Sequence, residues 1–123
     1  MFTIIRVLML LLSASLWAGE ETLSCEVLSD GVAKIRCTYT TVGREEDRNI
    51  TFEWHSEVYP QDDRSRSVVL EAGHVSVYDY RFMWGRAQGL WTVTVTNSDA
   101  KGEVTTVSHR FLVEGDAISA EAR

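Results

Sequence analysis

The stretch from His74 to Val113 constrains the fold more than any other part of the sequence. It predicts three antiparallel strands in succession, over 74–82, 90–97 and 103–113. In the middle strand the threonines alternate with larger apolar side chains, which are Trp91, Val93 and Val95. This alternation is typical of a strand with one face on a core and the other toward water. The sequence therefore predicts an antiparallel sheet as the centre of the fold.

The first 18 residues have the pattern of a secretory signal peptide. Arg6 supplies a basic start, an apolar run covers 7–12, and small residues lead to a cleavage point after Ala18. The apolar run is too short to span a bilayer, which takes about 20 apolar residues; a retained N-terminal anchor is the alternative. Cleavage would leave 105 residues, enough for one domain with one core. We expect the mature chain to be periplasmic or secreted.

The mature chain is acidic. Loss of Arg6 leaves 11 basic residues against 18 acidic ones, a formal net charge of −7. The basic residues are scattered along the chain, and an acidic chain of this kind is repelled by nucleic acid and by anionic lipid. We therefore expect no nucleic-acid partner and no stable membrane insertion after signal cleavage. A protein partner that is steered by charge would be basic.

The two cysteines predict a disulfide, because an even number in an exported chain is normally paired. A hairpin over residues 25–37 would place Cys25 opposite Cys37, within disulfide reach. The same register would place Val27 opposite Ile35. Two cysteines without paired spacing or nearby histidines make a poor metal site. We accordingly expect no metal and no cofactor.

Seven strands are predicted in the mature chain, over 23–28, 32–41, 49–56, 67–71, 74–82, 90–97 and 103–113. The segment 59–66, with the single proline, is predicted to be a loop. Short strands at this spacing favour an all-β fold, a seven-stranded antiparallel immunoglobulin-like sandwich, with a small β-barrel as the alternative. We expect residues 19–113 to form the domain and residues 114–123 a flexible C-terminal tail.

Three short patterns carry a resemblance to known domains. They are Phe52-x-Trp54, then Gly89-x-Trp91-x-Val93-x-Val95, and last Phe111-x-Val113. Together they resemble exported bacterial sandwich domains of the immunoglobulin or fibronectin type III kind, in families without an assigned function. The resemblance covers about residues 49–113 and implies fold and export, with no activity. Immunoglobulin domains proper bridge two sheets with distant cysteines, so the resemblance concerns shape only.

The sequence gives no signature of a catalytic site. It lacks the nucleophile elbow G-x-S-x-G, the zinc motif H-E-x-x-H and the phosphate-binding loop G-x-x-x-x-G-K-[ST]. Ser108 and His109 are neighbours, but adjacent residues of a strand point to opposite faces. We therefore expect a non-enzymatic protein with no catalytic residues.

The strand over 74–82 offers one candidate binding surface. Its aromatic side chains share one face, which Tyr78, Tyr80, Phe82 and Trp84 would form, with Asp79 and Arg81 on the other. The favoured interpretation buries the aromatic side chains in the core, because small sandwich cores need their bulk. In the alternative, a bulge near Tyr78 turns them outward as a platform for a glycan or a protein partner.

The loop over 83–89 is the second candidate. It is long for a hairpin connection and contains Trp84 and Arg86, the residue types that dominate binding hot spots. In the other interpretation Trp84 caps the end of the sandwich.

The functional hypothesis is a protein-binding module that acts through loop 83–89 and its neighbours, with Trp84, Arg86, Tyr78 and Tyr80 as candidate contact residues. One alternative is an envelope component that assembles through a sheet edge, where unpaired backbone groups recruit another strand. Another is a small acidic inhibitor of a basic exported enzyme.

Overall fold

A computed structural model describes residues 21–28, 34–114 and 117–120 of the chain. The predicted signal peptide lies outside these residues. The described strands are β1 (Thr22–Leu28), β2 (Lys34–Thr40), β3 (Arg48–Ser56), β4 (Arg64–Leu70), β5 (Ser76–Phe82), β6 (Gly89–Ser98), β7 (Val104–Glu114) and β8 (Ala117–Ala120). A single turn of 3-10 helix, Pro60–Asp62, precedes β4. Within these ranges the structure has no helix with the length and hydropathy of a membrane span.

The strands form two antiparallel sheets that pack as a sandwich. One sheet has three strands in the order β1-β2-β5, and the other has five in the order β4-β3-β6-β7-β8. The sheets are not closed into a barrel, so the prediction of an all-β sandwich is confirmed and the barrel alternative is wrong. Two antiparallel sheets with one apolar face each bury those faces against each other.

Two segments differ from the predicted strands by more than two residues. β4 begins at Arg64, inside the segment 59–66 that was predicted to be a loop, so that prediction is wrong for its last three residues. β8 lies in the range for which the sequence predicts a flexible tail. It pairs with the end of β7, Glu114 opposite Ala117 and Phe111 opposite Ala120.

The alternating residues of the central strands form the core, as predicted. Phe111 of β7 stacks on Trp91 with ring centroids 6.2 Å apart and meets Trp54 edge-on at 6.3 Å. These ring contacts join β7 to its neighbour β6 and, across β6, to β3 on the inner face of the five-stranded sheet. The fully buried members from β3 and β6 are Ile50, Phe52, Trp54, Trp91, Val93 and Val95.

The hairpin of β1 and β2 carries the predicted disulfide. Cys25 and Cys37 are bonded, and the register places Cys25 opposite Cys37 and Val27 opposite Ile35. Such a bond persists in oxidising compartments and points to a location outside the cytoplasm.

Tyr39 of β2 connects the two sheets through a buried hydrogen bond. Asn97 Nδ2 of β6 donates to Tyr39 Oη at 2.9 Å. Burial raises the pKa of the Tyr39 phenol, and the bond from Asn97 opposes this shift only in part. The inner face of β2 is thereby fixed toward the core.

Candidate functional site

β5 presents its aromatic side chains to solvent. Tyr78 is 55% exposed, Phe82 49% and Tyr80 38%, and we call these three side chains the aromatic face. The sequence-based interpretation that buries them in the core is therefore wrong. No bulge is needed either, because β5 pairs with β2 without interruption from Lys34 opposite Phe82 to Thr40 opposite Ser76.

The register of β5 on β2 explains this orientation. Opposed residues of neighbouring strands point to the same side of a sheet. Cys37 and Tyr39 of β2 are fully buried, so their partners Asp79 and Val77 also face inward. The inner face of β2 thus decides the orientation of β5, and the charged residue enters the sandwich while the aromatic ones leave it.

Two cations lie over the rings of the aromatic face. Lys34 Nζ is 4.7 Å from the ring centroid of Tyr80 and 5.3 Å from that of Phe82. Arg36 Cζ is 5.7 Å from the ring centroid of Tyr78. Tyr80 and Phe82 also meet edge to face with centroids 5.8 Å apart. This part of the surface therefore combines exposed rings with positive charge.

The loop that follows β5 places Trp84 in solvent. Its side chain is 77% exposed, so it does not cap the end of the sandwich. The loop base is fixed at Ala87, whose amide donates to Asp62 Oδ2 at 2.6 Å and whose carbonyl accepts from Trp91 Nε1 at 3.0 Å. Trp84 therefore projects from an anchored turn next to the aromatic face.

Asp79 is a buried carboxylate between the sheets. It is 1% exposed, and its Oδ2 accepts from Trp54 Nε1 at 2.9 Å and from Arg64 Nη2 at 2.8 Å. Its Oδ1 accepts from Arg66 Nη1 at 3.1 Å. All three donors belong to the five-stranded sheet and Asp79 to the three-stranded one. Charge-assisted bonds of this kind satisfy a buried carboxylate and link the two layers.

Four arginines surround a cavity beside the aromatic face. The cavity volume is about 360 Å³, and we call it the arginine pocket. Its lining consists of guanidinium groups and two of the exposed rings: Arg64, Arg66, Tyr80, Arg81, Phe82 and Arg86.

Arg81 is the buried arginine of the arginine pocket. It donates from Nη1 to the Asp62 carbonyl at 2.6 Å and lies with Cζ 5.6 Å from the Trp91 ring centroid. Burial lowers the pKa of Arg81, and repulsion from Arg64 and Arg86 lowers it further against the attraction of nearby carboxylates. The positive charges of the pocket thus repel one another.

A second titratable pair lies on the outer face of β3. His55 Nδ1 and Asp63 Oδ2 are 2.7 Å apart, and Asp63 Oδ1 accepts from the Ser56 amide at 2.8 Å. The bond to Asp63 raises the pKa of His55. Burial pushes the pKa of Asp63 up, but the bonds from His55 and Ser56 outweigh it and leave that pKa lowered. The pair thus holds the 57–63 loop against the end of β3.

The structure brings together most of the residues singled out in the sequence. Tyr78, Tyr80 and Trp84 lie on the exposed surface around β5, and Arg86 lies in the adjacent pocket. Cys25 and Cys37 form the disulfide in the same sheet.

Sequence reasoning missed the other three arginines of the pocket. The basic residues look scattered in the sequence, because these four come from three segments: β4, β5 and the loop after β5. A signal was present: in Arg64-Ser65-Arg66-Ser67-Val68 the arginines fall on the same strand face as Val68. That face points toward the three-stranded sheet, where Asp79 lies.

No protein-family model, no curated protein and no solved structure matches this chain significantly.

Proposed function

We propose that this chain is an exported, non-enzymatic module that binds another protein through the aromatic face and Trp84. The observation that carries this proposal is the outward orientation of Tyr78, Tyr80, Phe82 and Trp84 along one strand and its loop. Ring side chains supply large contact area at low entropic cost and dominate binding hot spots. Exposed rings that gather on one surface of a small protein mark an interaction site.

The rigidity of the surrounding structure supports a binding role. β5 is fixed from below by Asp79 and its three donors, and the loop is fixed by Ala87. A surface that is already ordered loses little conformational freedom when a partner arrives.

The local charge favours an acidic contact segment on the partner. The whole sequence has a formal net charge of −6, which by itself favours a basic partner. Five side chains next to the aromatic face are cations, however, although one of them, Arg36, is paired with Glu26: Lys34, Arg36, Arg64, Arg66 and Arg86. Because electrostatic complementarity acts at the contact, we propose that the partner presents carboxylates there.

The sandwich itself is proposed to be immunoglobulin-like. Its support is the strand order, in which the first, second and fifth strands form one sheet and the third, sixth and seventh the centre of the other. This is the division of immunoglobulin domains, with the fourth strand on the second sheet as C′ is in variable domains. The disulfide and the signal-peptide pattern support export to the periplasm or the cell exterior.

Photo-crosslinking tests the proposal in two steps. The crosslinker p-benzoylphenylalanine is placed at Trp84, and in a matched control at Thr106, which is exposed on β7 of the other sheet. We expect one adduct of defined mass from position 84 in the source organism and none from position 106. The partner is then identified, purified and titrated with the wild type and with Tyr78→Thr, which keeps a strand-forming residue. We expect Tyr78→Thr to weaken the affinity about 10-fold or more.

Three results would contradict the proposal. One is equal labelling from both positions, and another is an affinity that Tyr78→Thr leaves unchanged. The third is an adduct of two copies of this chain, which would favour assembly through a sheet edge.

A further inference from the structure

The arginine pocket holds more positive charge than the carboxylates in contact with it. Arg64 and Arg66 share the single carboxylate of Asp79, and Arg86 lies 3.6 Å from Asp62. Three guanidinium groups thus contact two carboxylates, and the fourth, Arg81, donates to the Asp62 backbone carbonyl. Asp63 also attracts Arg81, but its oxygens accept bonds from His55 and the Ser56 amide.

Two of the arginines have donors to offer. Arg66 is 54% exposed at its side chain and uses Nη1 alone for Asp79, while Arg86 is 43% exposed and has only the long contact to Asp62 among the described residues. A guanidinium group carries five N–H donors in a planar fork that matches the two oxygens of a carboxylate. Arg66 and Arg86 therefore retain donors that can face the cavity.

The rest of the pocket is rigid and partly aromatic. Arg64 is fixed by Asp79 and by the Tyr80 carbonyl, and Arg81 by the Asp62 carbonyl. Tyr80 and Phe82 supply ring surface at the mouth. An inorganic anion would leave these rings without a contact, whereas an anion with an apolar body would cover them and lose less to water.

We propose that the arginine pocket binds an organic carboxylate, with the carboxylate between Arg66 and Arg86 and the apolar body against Tyr80 and Phe82. The proposal rests on the proposed function only for the molecule that carries the carboxylate, here called the carrier. We propose that the carrier is the acidic contact segment of the protein partner. The carboxylate belongs either to an acidic side chain or to the end of a chain, and the chemistry at the pocket is the same.

Small probes test the pocket without any partner. N-acetylphenylalanine represents a chain end, and the N-methylamide of N-acetylglutamate represents an acidic side chain. Each is titrated into the full mature protein at low salt, with arginine side-chain and backbone N–H signals followed by NMR. N-acetylphenylalaninamide, which has the ring but no charge, and inorganic phosphate are the comparison probes.

We expect saturable shifts at Arg66, Arg86, Tyr80 and Phe82 for at least one carboxylate, with a dissociation constant of the order of 1 mM for so small a ligand. The tighter of the two carboxylates identifies the carrier. The amide is expected to bind at least 10-fold more weakly, and phosphate more weakly than the better carboxylate. Added salt should weaken carboxylate binding.

Three variants locate the site. Arg66→Gln and Arg86→Gln should each weaken carboxylate binding about 5-fold or more, because each removes a charged donor pair. Arg110→Gln removes the same charge from the exposed face of β7 and should leave binding unchanged. Near-ultraviolet circular dichroism confirms that each variant is folded, and Arg86→Lys should bind with intermediate affinity.

The pocket proposal is overturned by equal binding of the amide and the carboxylate, by tighter binding of phosphate, or by equal effects of Arg110→Gln and Arg86→Gln. Absence of binding by both carboxylates overturns it as well. None of these results bears on Tyr78 and Trp84, which lie outside the pocket, so the proposed function would survive them. Conversely, if crosslinking from position 84 identified no protein partner, the proposed function would fail, but carboxylate binding in the probe titrations would still support the pocket.

Discussion

Asp79 places a negative charge between the two sheets, where three donors from the opposite sheet surround it. A buried carboxylate is stable only if its partners remain, because an unpaired charge in the interior costs several kcal/mol. Arg64 and Arg66 therefore stabilise the orientation of β5 as well as lining the pocket. The same residue that turns inward forces its neighbours Tyr78 and Tyr80 outward.

Removal of the Asp79 carboxylate should be strongly destabilising. We expect Asp79→Ala to lower the free energy of unfolding by about 3 kcal/mol, since two arginines and the Trp54 N–H lose their acceptor. Arg66→Gln, at a half-exposed position, should cost about 1 kcal/mol or less. Urea unfolding of both variants measures the difference. A smaller loss for Asp79→Ala than for Arg66→Gln would contradict the role given to the buried charge.

The His55–Asp63 pair predicts a pH dependence. Because the pKa of His55 is raised in the folded protein, protonated His55 stabilises the fold at pH values below its pKa in the unfolded chain, about 6.5. This stabilisation is lost as pH rises through the pKa of His55 in the folded protein. Because the pKa of Asp63 is lowered, ionised Asp63 stabilises the fold at pH values above its pKa in the unfolded chain, about 4. This stabilisation is lost as pH falls through the pKa of Asp63 in the folded protein. The pair therefore contributes most between about pH 4 and 6.5.

NMR titration of the His55 ring checks this account. Asp63→Asn should bring the pKa of His55 down toward its ordinary value, because the charged acceptor is lost. Glu53→Gln removes an acid from the same outer strand face and should have a smaller effect. An unchanged pKa in Asp63→Asn would show that the 2.7 Å contact does not form in solution.

At the scale of the element, the β1–β2 hairpin depends on its disulfide. The bond closes a short loop, with a sequence separation of 12, which in the chain-entropy model stabilises the fold by about 3 kcal/mol. We expect the double variant Cys25→Ala/Cys37→Ala to lose about that amount in urea unfolding. Wild type with reductant should match the variant, and equal stability of oxidised and reduced wild type would contradict the prediction.

The strands themselves differ in how well the sequence predicted them. β3 and β6 show strict alternation of large apolar and polar residues, which identifies both strand and buried face without tertiary information. β4 starts with arginines after an acidic turn, so local composition indicates a solvated loop. The strand is formed by pairing with β3, and its arginines bond to Asp79 of the other sheet. β8 has only four residues, of which Ile118 packs against the core, and so short a segment gives no alternation from which its pairing with β7 could be predicted.

β5 shows the limit most clearly. Alternation separated Tyr78, Tyr80 and Phe82 from Asp79 and Arg81 correctly, but it does not say which set faces the core. The bulk of the aromatic side chains favoured their burial in the core. The register on β2 and the donors from β3 and β4 instead turn Asp79 and Arg81 inward. Those donors are 13 to 25 residues away in sequence, which places them beyond any local pattern.

At the scale of the whole molecule, the fold concentrates positive charge at one place in an otherwise acidic chain. An acidic chain gathers four arginines at one cavity, although they come from β4, β5 and the loop after β5. The sequence predicted the all-β sandwich, the disulfide and most of the core, because these follow from alternation and spacing. The candidate site depends on how the two sheets are placed against each other, so only Trp84, Arg86 and the tyrosines were identified in advance.

Nitration of tyrosine with tetranitromethane, mapped by peptide mass spectrometry, tests the central claim most directly. The chain has four tyrosines, and they divide into one buried residue, Tyr39, and three exposed ones, Tyr59, Tyr78 and Tyr80. In the folded protein we predict nitration of Tyr78 and Tyr80 at rates close to that of Tyr59, with Tyr39 modified only after unfolding in urea. Protection of Tyr78 and Tyr80 to the same degree as Tyr39 would place the aromatic face in the core and contradict the account.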